Sequence, residues 1–351
     1  MAGITILGTG SYAPGEPITN DDLSRVMSTS DEWIRKRTGI AQRHFTSEGV
    51  GVSDLGKIAA ERAIESAGLA PSDIDYIIFC TMTPEYFFPG SGGLLGAKLG
   101  IPRVPALDIR QQCAAVPFAF QVANGLVASK AAKRVLICGA EAHAAFMPWK
   151  DWDVLRGEAD HPVDEEAYAR ATRHRGMAVL FGDGASAFVV GEAAKEGQGL
   201  LGTECHTDGR MYDHIYIPMG FTSFPYITEE QLHDEKHIPR MAGPELFKTA
   251  VTELAAVVES LCARNGVTLD QIDWFVAHQA NDRINGAVRD KLKLPPEKVP
   301  SNIARYGNTS AATIGILTDE MRRDGRLKEG QLVCFLALGA GLNWGAALLR
   351  L

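Results

Sequence analysis

The feature that most limits what this chain can fold into is that it repeats itself once. Residues 63–80 read Ala-Ile-Glu-Ser-Ala-Gly-Leu-Ala-Pro-Ser-Asp-Ile-Asp-Tyr-Ile-Ile-Phe-Cys, and residues 261–278 read Leu-Cys-Ala-Arg-Asn-Gly-Val-Thr-Leu-Asp-Gln-Ile-Asp-Trp-Phe-Val-Ala-His. Both run from a helix through a Gly stop and an Ile-Asp-aromatic entry into an apolar strand. Ile74 and Ile272, Asp75 and Asp273, and Tyr76 and Trp274 are each 198 positions apart. A second echo sets Val135–Ala140 against Phe335–Ala340, at an offset of 200. A period of about half the chain is a duplication and not a solenoid.

Each half alternates short apolar runs with amphipathic stretches. Val135-Leu-Ile-Cys and Trp274-Phe-Val-Ala are continuous apolar runs, as in strands covered on both faces. Residues 53–68 have helical spacing and a terminal Gly. The spacing predicts two similar α/β halves packed as layered sheets and helices. The division is placed near Phe181-Gly-Asp-Gly-Ala, giving halves of 1–185 and 186–351. No Pro- or Ser-rich linker separates them. Residues 146–175 break the symmetry and are expected to form an extra loop or helix that shapes a pocket. Met147, Trp149 and Trp152 are expected to line an apolar channel there, with Asp160 to Glu166 solvated.

Composition removes several function classes. A net charge of −8 argues against nucleic acid as a partner. The six cysteines contain no C-x-x-C pair, so zinc and dithiol motifs are absent and no metal is expected. No apolar run reaches the roughly eighteen residues of a membrane span. The first ten residues read as a strand and turn, with no basic stretch ahead of an apolar one. The expectation is a cytoplasmic protein without a membrane span.

Three motifs carry chemistry. Cys113 sits in Asp-Ile-Arg-Gln-Gln-Cys-Ala-Ala, His278 in Val-Ala-His-Gln-Ala-Asn, and Asn308 in Tyr-Gly-Asn-Thr-Ser-Ala-Ala-Thr. Each falls at a strand-to-helix junction. Cys113 precedes a helix-forming run, where the dipole and free N–H groups favour thiolate. A thiolate there can take up an acyl group. An imidazole and a carboxamide can bind an oxyanion.

With Asp31-Glu-Trp-Ile, Arg37-Thr-Gly-Ile, Phe181-Gly-Asp-Gly-Ala, Met241-Ala-Gly and the Trp344-Gly ending, these motifs give the whole chain from Ile4 to Leu351 a resemblance to one family. It resembles β-ketoacyl–acyl-carrier-protein synthase III, a thiolase-fold condensing enzyme that starts bacterial fatty acid synthesis. The resemblance implies a thiolase-like fold, two βαβαβαββ halves in a layered αβαβα sandwich. It implies decarboxylative Claisen condensation of an acyl group on Cys113 with a malonyl-type thioester, in fatty acid or polyketide metabolism. His278 and Asn308 would stabilise the enolate.

It further implies a backbone oxyanion hole from Cys113 and Ala340. Ala340 stands where the family usually has the middle of three glycines. Trp33, Arg37 and Arg175 match positions holding the adenine and phosphate end of coenzyme A. Phe88 matches a residue that crosses a homodimer to floor the acyl pocket. Lys248 matches a carrier contact, and Arg283, Arg289, Lys291 and Lys293 form a basic cluster suited to an acidic acyl-carrier protein. No cofactor is implied, only coenzyme A or phosphopantetheine thioesters as substrates. Two other chemistries fit the same fold: joining two acyl chains without decarboxylation, and acyl transfer to a small nucleophile. Glu85 keeps them open.

Overall fold

The computed structural model describes residues 3–351. The first half runs β1 (Ile4–Tyr12), α1 (Asp31–Thr38), α2 (Val52–Ser66), β2 (Tyr76–Cys80), α3 (Ser91–Lys98), β3 (Ala106–Ile109), α4 (Ala115–Ala128), β4 (Arg134–Glu141), α5 (Glu165–Arg173) and β5 (Gly184–Glu192). Its strands form a sheet in the order β1-β5-β4-β2-β3. Strand β2 runs parallel to β3 and β4, while β5 is antiparallel to β4 and β1. The second half runs β6 (Gly199–Thr207), α6 (Gly243–Arg264), β7 (Trp274–Ala277), α7 (Asp282–Lys291), α8 (Thr313–Arg323), β8 (Leu332–Gly339) and β9 (Asn343–Arg350). Its sheet has the order β7-β8-β9-β6.

The duplication is now explicit. Tyr76 pairs with Val135, and Trp274 pairs with Val333. Both partners are 198 apart, so the second echo keeps the first offset and the 200 expected for it was two residues out of register. The repeat is also incomplete. Where β3 has its counterpart, near residues 304–307, the second half forms a helical turn, Ile303–Tyr306. Pro300 removes a ladder donor just upstream. The Asn302 N–H and the Ser301 hydroxyl are taken by Gln279 Oε1 at 3.2 and 2.9 Å.

Two helices lie between the sheets. Helix α4 reads Ala-Val-Pro-Phe-Ala-Phe-Gln-Val-Ala-Asn-Gly-Leu-Val-Ala, and a helix apolar on nearly every face belongs in an interior. Phe120 touches Phe188 of one sheet and Phe335 of the other, at ring separations of 5.4 and 5.3 Å. Helix α8 is buried beside it despite its charges, because Asp319 accepts from Thr9 and Ser11 of β1 at 2.9 and 2.6 Å. Helices α2 and α3 cover the outer face of the first sheet, and α6 and α7 that of the second. The result is the layered αβαβα arrangement of a thiolase-like fold.

Two expectations need correction. A division after residue 185 cuts β5, which pairs with β1 through Glu192 and with β4 through Gly191, so the chain crosses between sheets over residues 193–198. The extra segment also does not put its tryptophans on a channel. Met147, Trp149, Val154 and Leu155 are buried in a side core with Ile34, Phe45 and Phe181. Trp149 and Trp152 meet Phe45 edge-on at 5.8 and 5.3 Å. Such rings bury more surface against each other than against a solvent-filled channel.

Candidate active site

Cys113 lies in a three-residue turn, Gln112–Ala114, that leads directly into α4. Its thiol is buried, and burial pushes it up to about 12. The Ser310 hydroxyl, 3.3 Å from Sγ, and the residue's own N–H act in the opposite direction. So does the helix dipole. The site therefore holds a neutral thiol at rest, not the standing thiolate expected from the helix start alone.

His278 follows the last residue of β7, and its N–H donates to Leu336 O at 2.9 Å. The rest of its motif builds the junction. Gln279 ties the strand end to residues 301–302, Asn281 caps α7 through the Arg283 N–H, and the Asn285 amide donates to His278 O at 3.1 Å. The His278 Nδ1 is 2.6 Å from Thr313 Oγ1. Burial lowers its pKa to about 3, so the imidazole is neutral at any physiological pH. Asn308 is held by its own backbone, which bonds Leu180 and Gly182. Its Oδ1 accepts the Ser310 N–H at 2.8 Å, which leaves the amide NH₂ as the free end. Ser310 and Thr313 stand inside the Asn308 motif, which by itself assigns them no role; the signal for Ser310 is that it is the 198-residue counterpart of Gln112, beside Cys113.

Two cavities meet at Cys113. The first, about 700 Å³, is bounded by Cys113, His278, Asn308, Gly339 and Ala340 at its inner end, and by Trp33, Arg37, Phe247 and Arg283 at its outer end. The second, about 1010 Å³, lies against Cys113 and Ala340 from the other side. It is walled by Met82, Phe87, Phe88, Phe146, Phe181, Tyr212 and Tyr226. His278 and Asn308 border only the first.

The turn Leu338–Leu342 runs along both. Gly339 has no room for a side chain: a Cβ would stand 2.8 Å from the Cys113 nitrogen. Gly341 has a φ of 136°, open only to glycine. Ala340 has no positive φ, so its methyl is accommodated where a third glycine was expected. The turn is braced by the Asn343 amide, which donates to Ala340 O at 2.5 Å.

At the outer end, the guanidinium of Arg37 lies 4.3 Å from the Trp33 ring centre and that of Arg175 at 4.7 Å. Arg175 is fixed by a 2.6 Å bond to Ser28 O. Arg283 lies 6.0 Å from the Phe247 ring, with Lys248 exposed next to it. Lys291 is also exposed, but about 12 Å further along α7, at 1.5 Å per residue. Arg289 is paired with Asp290 at 2.7 Å, so the expected basic cluster is weaker than its count of charges.

Phe88 is 81% exposed on the loop that borders the second cavity. Glu85, on the same loop, accepts from the Ser53 N–H at the start of α2 at 2.6 Å and from the Ser91 hydroxyl at 2.5 Å, while Asp108 takes the Ser91 and Gly92 N–H groups that open α3. Among the described residues no cluster of His, Cys, Asp or Glu has metal-binding geometry, and no helix is long and apolar enough to cross a membrane.

A duplicated α/β sandwich with a helix-start cysteine facing an imidazole and a carboxamide defines an acyl-transferring enzyme. Family descriptions for 3-oxoacyl-[acyl-carrier-protein] synthase III match residues 107–159 and 165–209, and its C-terminal part matches 262–351. The chain is 38% identical to the β-ketoacyl-[acyl-carrier-protein] synthase III of Methylococcus capsulatus, over 98% of both chains. It is 40% identical to that of Synechococcus sp. (strain WH7803), over 100% of this chain and 96% of the other. The crystal structure of the Aquifex aeolicus VF5 3-oxoacyl-[acyl-carrier-protein] synthase III superposes with a TM-score of 0.84 at 36% identity, covering 99% and 100%. The chain belongs to the β-ketoacyl–acyl-carrier-protein synthase III family of condensing transferases.

Proposed function

We propose that this enzyme loads an acyl group from acyl-coenzyme A onto Cys113 and condenses it with a malonyl thioester on an acyl-carrier protein. The observation that carries this is the asymmetry at Cys113. The thiol borders both cavities, but His278 and Asn308 border only one. That arrangement supports an acyl chain held in the second cavity while a pantetheine arm enters through the first. In the first step the Cys113 sulfur attacks the thioester carbonyl, the bond to the coenzyme sulfur breaks, and the thiol proton leaves with the coenzyme. The backbone N–H groups of Cys113 and Ala340 receive the oxyanion. In the second step the malonyl carboxylate departs as CO₂. Its bonding pair forms an enolate whose oxygen faces His278 and Asn308. The enolate carbon attacks the acyl carbonyl and Cys113 leaves as thiolate.

Trp33, Arg37 and Arg175 suit a purine and phosphates, which stack on and pair with such groups. Lys248 and Arg283 at the cavity mouth suit an acidic carrier protein, with Lys291 a more distant contact. The roomy, aromatic second cavity supports a primer larger than acetyl. No resident cofactor enters either step. Six free cysteines fit a reducing, cytoplasmic setting.

A homodimer is supported by β3, an edge strand that among the described residues pairs only with β2 and exposes Leu107, and by the exposed Tyr86, Phe87 and Phe88 beside it. Non-decarboxylative joining of two acyl chains would need a base for an α-proton. The carboxylate in the right region, Glu85, is already held by the Ser53 N–H and the Ser91 hydroxyl, one on each oxygen. The deciding experiment is peptide mass spectrometry after exposure to acyl-coenzyme A. The adduct is expected on Cys113. An adduct on another cysteine, or full condensation by Cys113→Ala, would sink the reading.

A further inference from the structure

The turn that carries Cys113 has a twin. Gln112–Ala114 and Ser310–Ala312 are 198 residues apart, and each opens on a non-glycine residue with positive φ, 52° at Gln112 and 48° at Ser310. The two turns pack together. A serine in the left-handed region is strained, and such strain persists where the surroundings hold it. Here they do. The Ser310 N–H is held by Asn308 Oδ1 at 2.8 Å, and its carbonyl lies 3.0 Å from Thr313 Oγ1. Ser310 is fully buried, and its hydroxyl sits 3.3 Å from Cys113 Sγ on one side and 3.5 Å from Met82 Sδ on the other.

We propose that Ser310 is a further catalytic residue, whose hydroxyl stabilises the Cys113 thiolate during acylation and turns away to Met82 once the thioester has formed. The inference rests on Cys113 being the nucleophile. In the resting thiol, the Cys113 S–H donates to Ser310 Oγ, whose own proton goes to the thioether of Met82. Ionisation of the thiol removes that donor. The hydroxyl then has a strong charged acceptor in place of a weak thioether, and rotation about one bond delivers its proton to the sulfur. A hydrogen bond to the charged form favours it, which opposes the burial that raises the thiol. When sulfur becomes part of a thioester it carries no charge, and the hydroxyl returns to Met82. No proton is consumed by this rotation; the thiol proton leaves with coenzyme A as above.

The test compares wild type with Ser310→Ala and Ser310→Gly. Both keep the backbone contacts to Asn308 and Thr313, and glycine also relieves the positive φ. The rate of Cys113 alkylation by iodoacetamide is followed against pH, with peptide mapping of the modified site. Both variants are expected to shift the profile upward by about one pH unit, or about tenfold slower at fixed pH. Acyl-enzyme formation should slow with it. Malonyl-thioester decarboxylation by enzyme already fully acylated should keep its wild-type rate. An unshifted profile, or a glycine variant that regains the wild-type profile while alanine does not, overturns the proposal and leaves a backbone role. A wild-type protein that takes no acyl group on Cys113 would instead overturn the nucleophile assignment.

Discussion

Gly339 packs directly beneath Cys113, so closely that a Cβ on it would lie 2.8 Å from both the Cys113 and the Ala114 nitrogen. Those atoms are backbone at the start of α4 and cannot move aside without shifting the nucleophile. Gly339→Ala should therefore slow acyl-enzyme formation by roughly 10²–10³, the usual loss for a displaced oxyanion donor. Rapid-quench mass spectrometry of the Cys113 adduct measures this. An unchanged acylation rate would mean that the turn gives way and that its N–H groups are not the oxyanion donors.

His278 and Asn308 border the first cavity and not the second, so they should serve the second half-reaction. His278→Ala is expected to self-acylate near the wild-type rate and to lose malonyl decarboxylation by roughly 10²–10³. Single-turnover assays of the two steps separate them. Loss of acylation with decarboxylation intact would reverse the assignment.

The same histidine predicts a pH dependence of stability. Burial holds its pKa at about 3 in the folded protein, against an ordinary 6.5. Between those values the unfolded chain binds the extra proton, so stability is complete above about pH 6.5 and falls as pH drops toward 3. The slope from one proton is about 1.4 kcal/mol per pH unit. His278→Gln should flatten the acid side of a denaturation-midpoint-versus-pH curve by about that slope. An unchanged curve would show that the imidazole is hydrated in the folded state.

The duplication, the layered class and the three motifs that bring Cys113, His278 and Asn308 to one cavity were legible because each is written locally. A helix stop, an Ile-Asp-aromatic entry and a turn beside Cys113, His278 or Asn308 are all contiguous in sequence. What escaped was non-local or depended on degree. Ser310 reaches Cys113 across 197 positions, a contact that its place two residues after Asn308 does not reveal. Strand β5 begins Gly-Ala-Ser-Ala, which reads as a turn, so the division was drawn inside it. The matching glycines at 139 and 339 drew the second echo two residues out of register. The aromatic run at 146–152 has the composition of either a channel lining or a core, and only its contact with Phe45 decides between them.

That contact changes what mutations in the extra segment should do. Trp149→Ala should lower unfolding stability by about 3–5 kcal/mol, as for a large buried ring, and leave the acyl-chain preference unchanged. Phe146, which borders the second cavity, is the position in the segment where substitution should alter chain preference. Chemical denaturation and acylation assays across a chain-length series check both. A Trp149→Ala enzyme with normal stability and altered chain preference would return the tryptophan to the pocket.

The second cavity itself makes the last prediction. It holds about 1010 Å³, far more than an acetyl group fills, and its walls carry aromatic and thioether side chains beside polar ones such as Arg110 and His237. Each buried methylene contributes about 0.8 kcal/mol, so kcat/KM for acylation should climb with donor length from acetyl through medium chains. The exposed Phe88 loop bears on where the climb ends, because a second chain pairing along β3 would carry its own Phe88 toward this region. Light scattering should therefore give a dimer, and Leu107→Lys, on the exposed edge, should give a monomer whose acylation keeps climbing to longer donors than that of the wild type. A wild-type monomer at micromolar concentration would refute the dimer and the crossing role of Phe88. A clear preference for acetyl-coenzyme A over every longer donor would mean that the cavity is filled in the working enzyme and that the primer is small.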